Sequence, residues 1–272
     1  MSAAPLARLY RTAFVTGAST GLGRAFADML LAEGVEVWGT ARDPVRLAPR
    51  ARFHPVALEL GDGSAAEAVF LAQEQTAGGF DLVINNAGFG AFGGFAETDF
   101  AVWQRQIEIM LLNTARLSHA ALRGMQRRGG GTLVNLSSLA AEFPMPFQAT
   151  YNTVKAGLSA LNESLMIETA GTGIVVIDFR PGDYRTDFEG SVQRPAVIGD
   201  ARQQRVWAAF HRLMESGPEP AHAAATLRRA LLRRRSGTVR TGRFFQAVLA
   251  PLLARCSSLA LRRRIIARYF DL

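Results

Sequence analysis

The chain has 272 residues, of which 49% are hydrophobic, and a formal net charge of +8. This is enough apolar material for a buried core, and it excludes a disordered chain. Cys256 is the only cysteine, which excludes an internal disulfide, and no window approaches the ~20 apolar residues of a membrane span. With no signal-peptide pattern at the N-terminus, we expect a cytoplasmic protein of one domain.

The charge is concentrated at the C-terminal end. Residues 201–272 contain 15 Arg and three acidic residues, a balance of +12, which leaves the first 200 residues at −4. A basic tail on a mildly acidic body predicts a local surface function or a solvated tail rather than a nucleic-acid-binding fold. Four scattered histidines and one cysteine give no metal-ligand spacing, so we predict no catalytic metal.

Strands and helices are predicted to alternate along the first part of the chain. An apolar run at 13–15 predicts a strand, and it is followed by a Gly-rich turn at 16–23 and a helix at 24–33. Further strands are predicted at 35–40, 55–60, 81–85, 132–136 and 173–179. Longer segments with helical apolar spacing predict helices at 100–128 and 151–169.

This alternation predicts an α/β fold of the Rossmann type, a doubly wound parallel sheet in one domain. The core is predicted at 10–190. The stretch 183–220 contains many Gly and Pro residues and is expected to form an irregular, mobile flap over the ligand crevice. The remainder, 221–272, is predicted to be a basic, amphipathic helical extension.

Three glycines, Gly17, Gly21 and Gly23, stand between the first strand and the first helix. Such a turn lets backbone N–H groups approach a pyrophosphate at the positive end of the helix. The alternative is a tight turn with no ligand. The intervening Ser19, Thr20 and Leu22 belong to the same candidate site.

Lys155 is the only lysine among 31 basic residues, and it lies four positions after Tyr151 on a predicted helix. The two side chains therefore share a face. A phenol titrates near pH ~10, and a close cation should lower that pKa. We expect Lys155 to activate Tyr151 as a proton-transfer group.

Several motifs occur in order, and together they resemble the short-chain dehydrogenase/reductase family over roughly residues 10–190. They are Thr16-Gly17-x-x-x-Gly21-x-Gly23, Asn85-Asn86-Ala87-Gly88, Asn113 in the next long helix, Ser138, Tyr151-x-x-x-Lys155, and Pro181-Gly182-x-x-x-Thr186. The resemblance implies a nicotinamide-dependent oxidoreductase.

The resemblance also implies a role for each residue. Lys155 would bond the nicotinamide ribose, Ser138 would hold the substrate oxygen, and Asn113 would anchor a water relay to Lys155. Ser137 is the rival of Ser138, which is chosen on its spacing from Tyr151 alone. Cofactor contacts are implied for Asn86, Ala87, Gly88, Pro181, Gly182 and Thr186. The helices beginning near 100 and 151 would form a homodimer or homotetramer.

The residues at the end of the second predicted strand indicate which cofactor is preferred. Ala41 stands where NAD-preferring enzymes carry an acidic residue, and Arg42 follows, which suits a 2′-phosphate. We therefore predict NADP(H), with NAD(H) left open because Asp43 is close. Glu59 and Leu60, after the third strand, are predicted beside the adenine, and Asp62 is a neighbour that could share this role.

Aromatic side chains predict an apolar substrate pocket, and the alternative is that several belong to the core. The pocket favours a lipophilic alcohol or ketone, and in character it resembles the steroid- and retinol-oxidising branch of the family. The predicted pocket residues are Phe89, Phe92, Phe143, Phe147, Phe188 and Trp207, with Val192 and Phe210 in the flap.

The tail places apolar residues at 244–253 on one helical face, and arginines flank Ile265 and Tyr269. Four interpretations stay open: contact with an anionic membrane surface, a cap on the substrate crevice, packing on another subunit, or an ordinary packed helix. Two alternatives to an enzyme also remain, a cofactor-binding redox sensor with little turnover and a membrane-surface protein that acts through its tail.

Overall fold

A computed structural model describes residues 6–195 and 198–272, and the side chains of residues 254 and 255 lie outside that description. The strands are β1 (Thr12–Val15), β2 (Glu36–Ala41), β3 (Phe53–Ala57), β4 (Leu82–Asn85), β5 (Gly131–Leu136), β6 (Ile174–Pro181) and β7 (Gly237–Thr241). They form one parallel sheet in the order β3-β2-β1-β4-β5-β6-β7. The predicted doubly wound α/β fold is confirmed.

Helices cover both faces of this sheet. They are α1 (Gly21–Ala32), α2 (Gly63–Ala77), α3 (Phe100–Ile107), α4 (Asn113–Arg128), α5 (Ala149–Glu168), α6 (Ala201–Glu215), α7 (Pro220–Arg233), α8 (Ala250–Cys256) and α9 (Leu259–Tyr269). One core cluster lies between the sheet and α1 and α7, and the other between the sheet and α2, α4 and α5. No helix in the described ranges is both long enough and apolar enough to cross a membrane.

The strand order reverses between β1 and β4. From this pair the chain continues to β2 and β3 on one side and to β5, β6 and β7 on the other. Parallel strands place their carboxyl ends at one edge, and the crevice at such a switch point is the usual ligand site of this architecture. The Gly-rich turn follows β1, and Asn86 follows β4. The topology therefore brings the predicted motifs together at one edge.

Three elements differ from the sequence prediction. The helix expected at 100–128 contains a π-turn at Glu108–Leu112, directly before Asn113. The third strand is Phe53–Ala57 and therefore ends earlier than expected. Helix α2 was not predicted; Asp62 accepts hydrogen bonds from Ser64 N and Ala65 N at 3.0 Å and so caps its N-terminus.

The predicted irregular flap is also wrong in part, because it contains the 15-residue helix α6. Asp200 caps α6, and Val206, Phe210 and Met214 are buried at helical spacing. The Gly and Pro residues that suggested an irregular segment flank this helix.

The C-terminal extension is not wholly helical, and the sheet does not end with the predicted core. Strand β7 pairs with β6 through Ile177↔Gly237 to Pro181↔Thr241 and completes the sheet. Helix α7 packs on α1, and Tyr10 Oη, in the segment before β1, donates to Leu231 O of α7 at 3.0 Å. Residues 221–241 are therefore part of the sheet-and-helix core, because a strand at the edge of a parallel sheet needs a crossover helix before it.

Candidate active site

Hydrogen bonds to the segment after β4 hold the Gly-rich turn between β1 and α1 in place. Thr16 Oγ1 accepts from Asn86 N and Ala87 N, each at 2.9 Å, and Asn86 Nδ2 donates to Thr16 O at 2.9 Å. Gly17 and Gly21 have φ values of +69° and +55°, which favour glycine. The turn is thus fixed in a shape that a residue with a Cβ would resist.

The same turn has the form of an anion cradle. Thr20 precedes α1 in an extended conformation, and its side chain makes no capping hydrogen bond, so it leaves the first N–H groups of the helix uncapped where Gly21 and Leu22 line the cavity. Gly23 lies behind the turn, where an added Cβ would lie 2.1 Å from Gly17 O. These features fit a bound pyrophosphate.

Two arginines lie at the end of β2. Arg42 and Arg46 both line the cavity, and Ala41, Glu59 and Leu60 line it nearby. Arg46 was not among the predicted site residues, although it lies four positions after Arg42 in the sequence.

The acidic neighbours of this region have structural contacts. Asp43 Oδ1 accepts from Val45 N at 3.0 Å and caps a short 3-10 helix. Glu59 Oε1 accepts from Gly61 N at 2.9 Å. The suggestion that Asp62 shares in adenine binding is wrong, because its carboxylate caps α2 and it does not line the cavity.

Ser138, Tyr151 and Lys155 meet on the floor of the cavity. All three side chains are buried, and the Ser138 hydroxyl is close enough to Tyr151 to act on the pKa of its phenol. Lys155 Nζ donates to Leu136 O at 2.7 Å and lies 5.6 Å from the centre of the Tyr151 ring. The rival Ser137 donates to Asp178, so its hydroxyl is directed away from Tyr151.

The pKa of Tyr151 differs from the sequence expectation. Burial raises it to about 12; the hydrogen bond with Ser138 opposes this, and the nearby charge of Asp183 adds to it. Burial also lowers the pKa of Lys155 to about 8, against the opposing charge of Asp178. The expectation that Lys155 lowers the pKa of Tyr151 is therefore wrong for this structure, because burial raises that pKa and Ser138, not Lys155, is the group that opposes it.

Asp178 belongs to a buried polar network under this floor that the sequence analysis missed. Its carboxylate, which is fully buried, accepts from Ser159 Oγ at 2.9 Å, Asn162 Nδ2 at 3.1 Å and Arg180 Nε at 2.7 Å. Arg180 also donates to Glu142 at 2.6 Å. An Asp–x–Arg pair on a strand that is otherwise apolar was the available signal, since buried charges need partners.

Asn113 stands apart from the other three candidate catalytic residues. Its side chain is buried, Nδ2 donates to Leu60 O at 2.6 Å, and the side chain does not line the cavity. A Cβ on Gly63 would lie 2.0 Å from Asn113 Oδ1, so Gly63 makes room for it. The π-turn directly before Asn113 is a feature that often accompanies functional sites.

The cavity has a volume of about 1480 Å³ and runs from the two arginines, past Tyr151, to the C-terminal helices. This exceeds the about 300–1,000 Å³ of an ordinary small-molecule pocket and leaves room for a dinucleotide and a second ligand. Most of the predicted cofactor contacts line it. They are Gly17, Ser19, Thr20, Gly21, Leu22, Asn86, Ala87, Gly88, Pro181, Gly182 and Thr186.

The aromatic residues predicted for the substrate pocket divide into two groups. Phe89, Phe143 and Phe188 line the cavity, as does Phe210. The assignment of the other three is wrong, because they do not line the cavity and instead pack with residues of α6, in a cluster that also contains Phe210. Ring centroids are 5.9 Å apart for Phe92 and Phe147, and 5.1 Å apart for Phe92 and Trp207. Val192 packs in this cluster too.

Comparison with known proteins explains why these motifs meet. The family model described as short chain dehydrogenase matches residues 11–196. The chain belongs to this family. The short-chain dehydrogenases are oxidoreductases, and the matched segment contains both the Gly-rich turn and the Ser138–Tyr151–Lys155 floor.

Relatives from bacteria share this family. An uncharacterized oxidoreductase of Myxococcus xanthus is 34% identical over 197 residues, 68% of this chain and 77% of that protein. The 3-oxoacyl-[acyl-carrier-protein] reductase of Vibrio cholerae is 30% identical over 204 residues, 72% of this chain and 84% of that protein.

Solved short-chain dehydrogenases have the same fold. One from Streptomyces avermitilis superposes with a TM-score of 0.82 and 30% identity, covering 94% of this chain and 97% of that chain. One from Burkholderia phymatum, solved in complex with NAD, has a TM-score of 0.80 and 22% identity, covering 90% of this chain and 92% of that chain.

In this short-chain dehydrogenase the C-terminal helices form one wall of the cavity. Leu253 of α8, together with Leu261, Ile265 and Tyr269 of α9, lines it opposite the catalytic floor. Of the four interpretations of the tail, a cap on the crevice agrees with this arrangement. Asp271, at the end of the tail, bonds Arg212 of α6 at 2.6 Å and so helps to hold the wall in place.

Proposed function

We propose that this short-chain dehydrogenase transfers a hydride between NADP(H) and the carbonyl carbon of a lipophilic molecule, with Tyr151 as the proton donor. The observation that carries the proposal is the meeting of Ser138, Tyr151 and Lys155 in the same cavity as the Gly-rich turn. The nicotinamide, when bound, supplies the hydride. The residues that would hold the dinucleotide fit it, because the turn leaves open N–H groups at the start of α1.

The protein would supply the proton and the hold on the substrate oxygen. A pKa of about 12 keeps the Tyr151 phenol protonated at neutral pH, which is the state that proton donation to a carbonyl oxygen requires. Ser138 would donate a hydrogen bond to the carbonyl oxygen. As the hydride reaches carbon, the phenol proton passes to oxygen and the product is an alcohol. Asn113 as the anchor of a water relay stays a prediction.

Two observations support NADP(H) over NAD(H). Arg42 and Arg46 both face the adenosine end of the cavity, where a 2′-phosphate would accept charge-assisted hydrogen bonds. Asp43, the residue that could bond a ribose 2′-hydroxyl instead, also lines the cavity, but its Oδ1 accepts from Val45 N in a helix cap. NAD(H) remains the alternative, and the Burkholderia phymatum relative was solved with NAD.

Arg42→Ala should weaken NADPH binding by about 10-fold or more, because a hydrogen bond to a charged group contributes about 1.5–3 kcal/mol. NADH binding should change little, since NADH has no 2′-phosphate. Quenching of Trp fluorescence gives both dissociation constants. Arg123→Ala, an exposed arginine on α4, is the matched control. Equal weakening of NADH and NADPH would refute the proposed contact.

The cavity walls support a lipophilic substrate, of the steroid, retinoid or fatty alcohol or ketone type. Beyond Tyr151 they are made of Phe143, Phe188, Leu253, Leu261 and Ile265. The test is NADPH consumption with a panel of carbonyl compounds of increasing apolar area. We expect kcat/KM to rise with that area. A protein that binds NADPH yet reduces no ketone in the panel would instead be a redox sensor with little turnover.

We propose that the tail also contacts anionic membrane surfaces, in a cytoplasmic enzyme. Phe244, Leu252, Leu253 and Leu259 are between 55% and 74% exposed, and exposed arginines of α9 lie on the same segment. An apolar strip next to cationic side chains is the pattern of an interfacial helix. The strip also adjoins the cavity wall, so a lipophilic substrate concentrated in the membrane would be close to its site.

Replacing Arg263, Arg264 and Arg268 by Ser should weaken binding to phosphatidylglycerol vesicles by ~100-fold, because each basic residue near the surface contributes about 1 kcal/mol. Vesicle sedimentation measures this. The matched control replaces three exposed arginines elsewhere, Arg8, Arg11 and Arg123. If the control variant loses as much vesicle binding, the vesicles are attracted by the net positive charge of the protein and the tail has no specific role.

We further propose a homodimer or homotetramer formed through α4 and α5. Leu112, at the start of α4, is 56% exposed, and Ile167, at the end of α5, is 79% exposed. A second copy would cover these side chains. Sedimentation velocity measures the assembly, and Ile167→Asp should shift it to the monomer; a wild-type monomer would refute the proposal.

A further inference from the structure

Asp183 is a carboxylate at the substrate end of the cavity, where Phe143, Phe188 and Ile265 supply apolar walls. It directly follows Gly182, and it lines the same space as Tyr151. The two groups lie close enough for the charge of Asp183 to raise the pKa of Tyr151. Nothing in the proposed chemistry uses this carboxylate, and burial raises its own pKa, so its position carries a cost in solvation.

One side chain of the C-terminal segment, Gln246, holds Asp183 and also contacts Tyr269. Gln246 Nε2 donates to Asp183 Oδ2 at 2.5 Å and to the Tyr269 hydroxyl at 3.0 Å. All three side chains line the cavity. Gln246 thus fixes one carboxylate oxygen and orients the phenol beside it.

The remaining hydrogen-bonding positions of this cluster are open to the cavity. Asp183 Oδ1 accepts no hydrogen bond from a residue in the described ranges, and it is not among their buried unpaired atoms. The Tyr269 hydroxyl accepts from Gln246, so its own proton is available to a ligand. One acceptor and one donor therefore stand side by side.

We propose that Asp183 and Tyr269 bind a hydroxyl group of the substrate that is separate from the oxygen that reacts. A hydroxyl donates and accepts at once, and so it matches the pair. An anionic group would be repelled by Asp183, and an ammonium has no acceptor for the Tyr269 proton. The inference rests on the proposed function and narrows its substrates to lipophilic hydroxyketones, or diols in the reverse direction.

The test compares tetralone with its ring-hydroxylated and ring-methoxylated derivatives as substrates for NADPH-dependent reduction. A methoxy group keeps the oxygen but cannot donate. In the wild type, kcat/KM for at least one hydroxytetralone should exceed that for the matching methoxytetralone by about 10-fold or more. Asp183→Leu should remove this preference for the hydroxy compound, while the variant still reduces plain tetralone. Tyr269→Phe should make the preference smaller. Asp28→Leu, at an exposed aspartate of α1, should preserve it.

Equal kcat/KM for each hydroxy and methoxy pair overturns the inference, and continued reduction of plain tetralone then leaves the proposed function standing. If no ketone is reduced and NADPH does not bind, the proposed function fails. Calorimetric titration of the hydroxytetralones into the protein then tests the hydroxyl subsite independently of turnover. Binding that Asp183→Leu weakens by about 10-fold supports the subsite, and the absence of binding overturns it.

Discussion

Tyr151→Phe should lower the rate of carbonyl reduction by ~10²–10⁴-fold, the usual contribution of a positioned proton donor. The variant keeps the ring but removes the hydroxyl that would protonate the substrate oxygen. With a pKa of about 12 the Tyr151 phenol carries its proton at neutral pH, so Tyr151→Phe removes a proton that the wild type has in place. Steady-state NADPH oxidation measures the rate, and the dissociation constant of NADPH should stay close to that of the wild type.

The matched control is Tyr10→Phe. Tyr10 is also buried, and its hydroxyl donates to Leu231 O, far from the cavity. This variant should lose some stability, about 0.5–1.5 kcal/mol for one hydrogen bond, and keep its turnover. If Tyr151→Phe retains the wild-type rate within tenfold, Tyr151 is not the proton donor.

Lys155→Arg should lower turnover by at least ~10²-fold although the charge is kept. The Lys155 ammonium is buried and lies 2.7 Å from Leu136 O, in a space shaped for a compact donor. A planar guanidinium is larger and would displace the floor, and misplacement by about 1 Å can cost ~10²-fold. Single-turnover kinetics measure the effect. Arg at this position with a near-normal rate would refute the argument from the lone lysine.

Lys155 should also set a pH limit on the reaction. Its pKa is lowered to about 8, so the ammonium is present below that pH and is lost as the pH rises through it. Because kcat/KM reports the groups of the free enzyme, kcat/KM for reduction should fall above pH ~8. Tyr151, with its pKa of about 12, should not contribute to this limb. A flat profile up to pH ~10 would contradict the role of the Lys155 charge.

The sheet and its ligand edge were predictable because they follow from local patterns. Apolar runs that alternate with helical spacing predict parallel strands, and the Gly17–Gly21–Gly23 turn marks where the first strand meets the first helix. Chemistry-bearing residues follow strand ends, so the topology brings Ser138 and Asn86 to one edge. These local patterns are sufficient to predict the doubly wound fold.

The predictions that were wrong concern features that depend on tertiary contacts. An aromatic residue has the same pattern in a core and in a pocket, and only the packing of α6 shows that Phe92, Phe147 and Trp207 form a core cluster. Strand β7 is short and only half-buried, so it lacked an apolar run. The pKa of Tyr151 depends on burial, which the spacing of two side chains does not reveal.

The C-terminal wall shows the same limit. Its apolar and basic character was predictable from the residues, but four interpretations stayed open. Gln246 and Asp183, which are in contact, lie 63 positions apart in the chain. A link of that span cannot be inferred from periodicity. It is nevertheless the contact that joins the tail to the catalytic end of the cavity.

Isotope labelling shows directly whether the hydride passes from the cofactor to the substrate carbon. NADPH deuterated at the transferring position of the nicotinamide is incubated with the enzyme and tetralone, and the alcohol is analysed by mass spectrometry and NMR. The proposed reaction predicts one deuterium on the carbinol carbon and none there when unlabelled NADPH is used in heavy water. An unlabelled product, or a label taken from the solvent, would contradict direct hydride transfer between the cofactor and the substrate carbon.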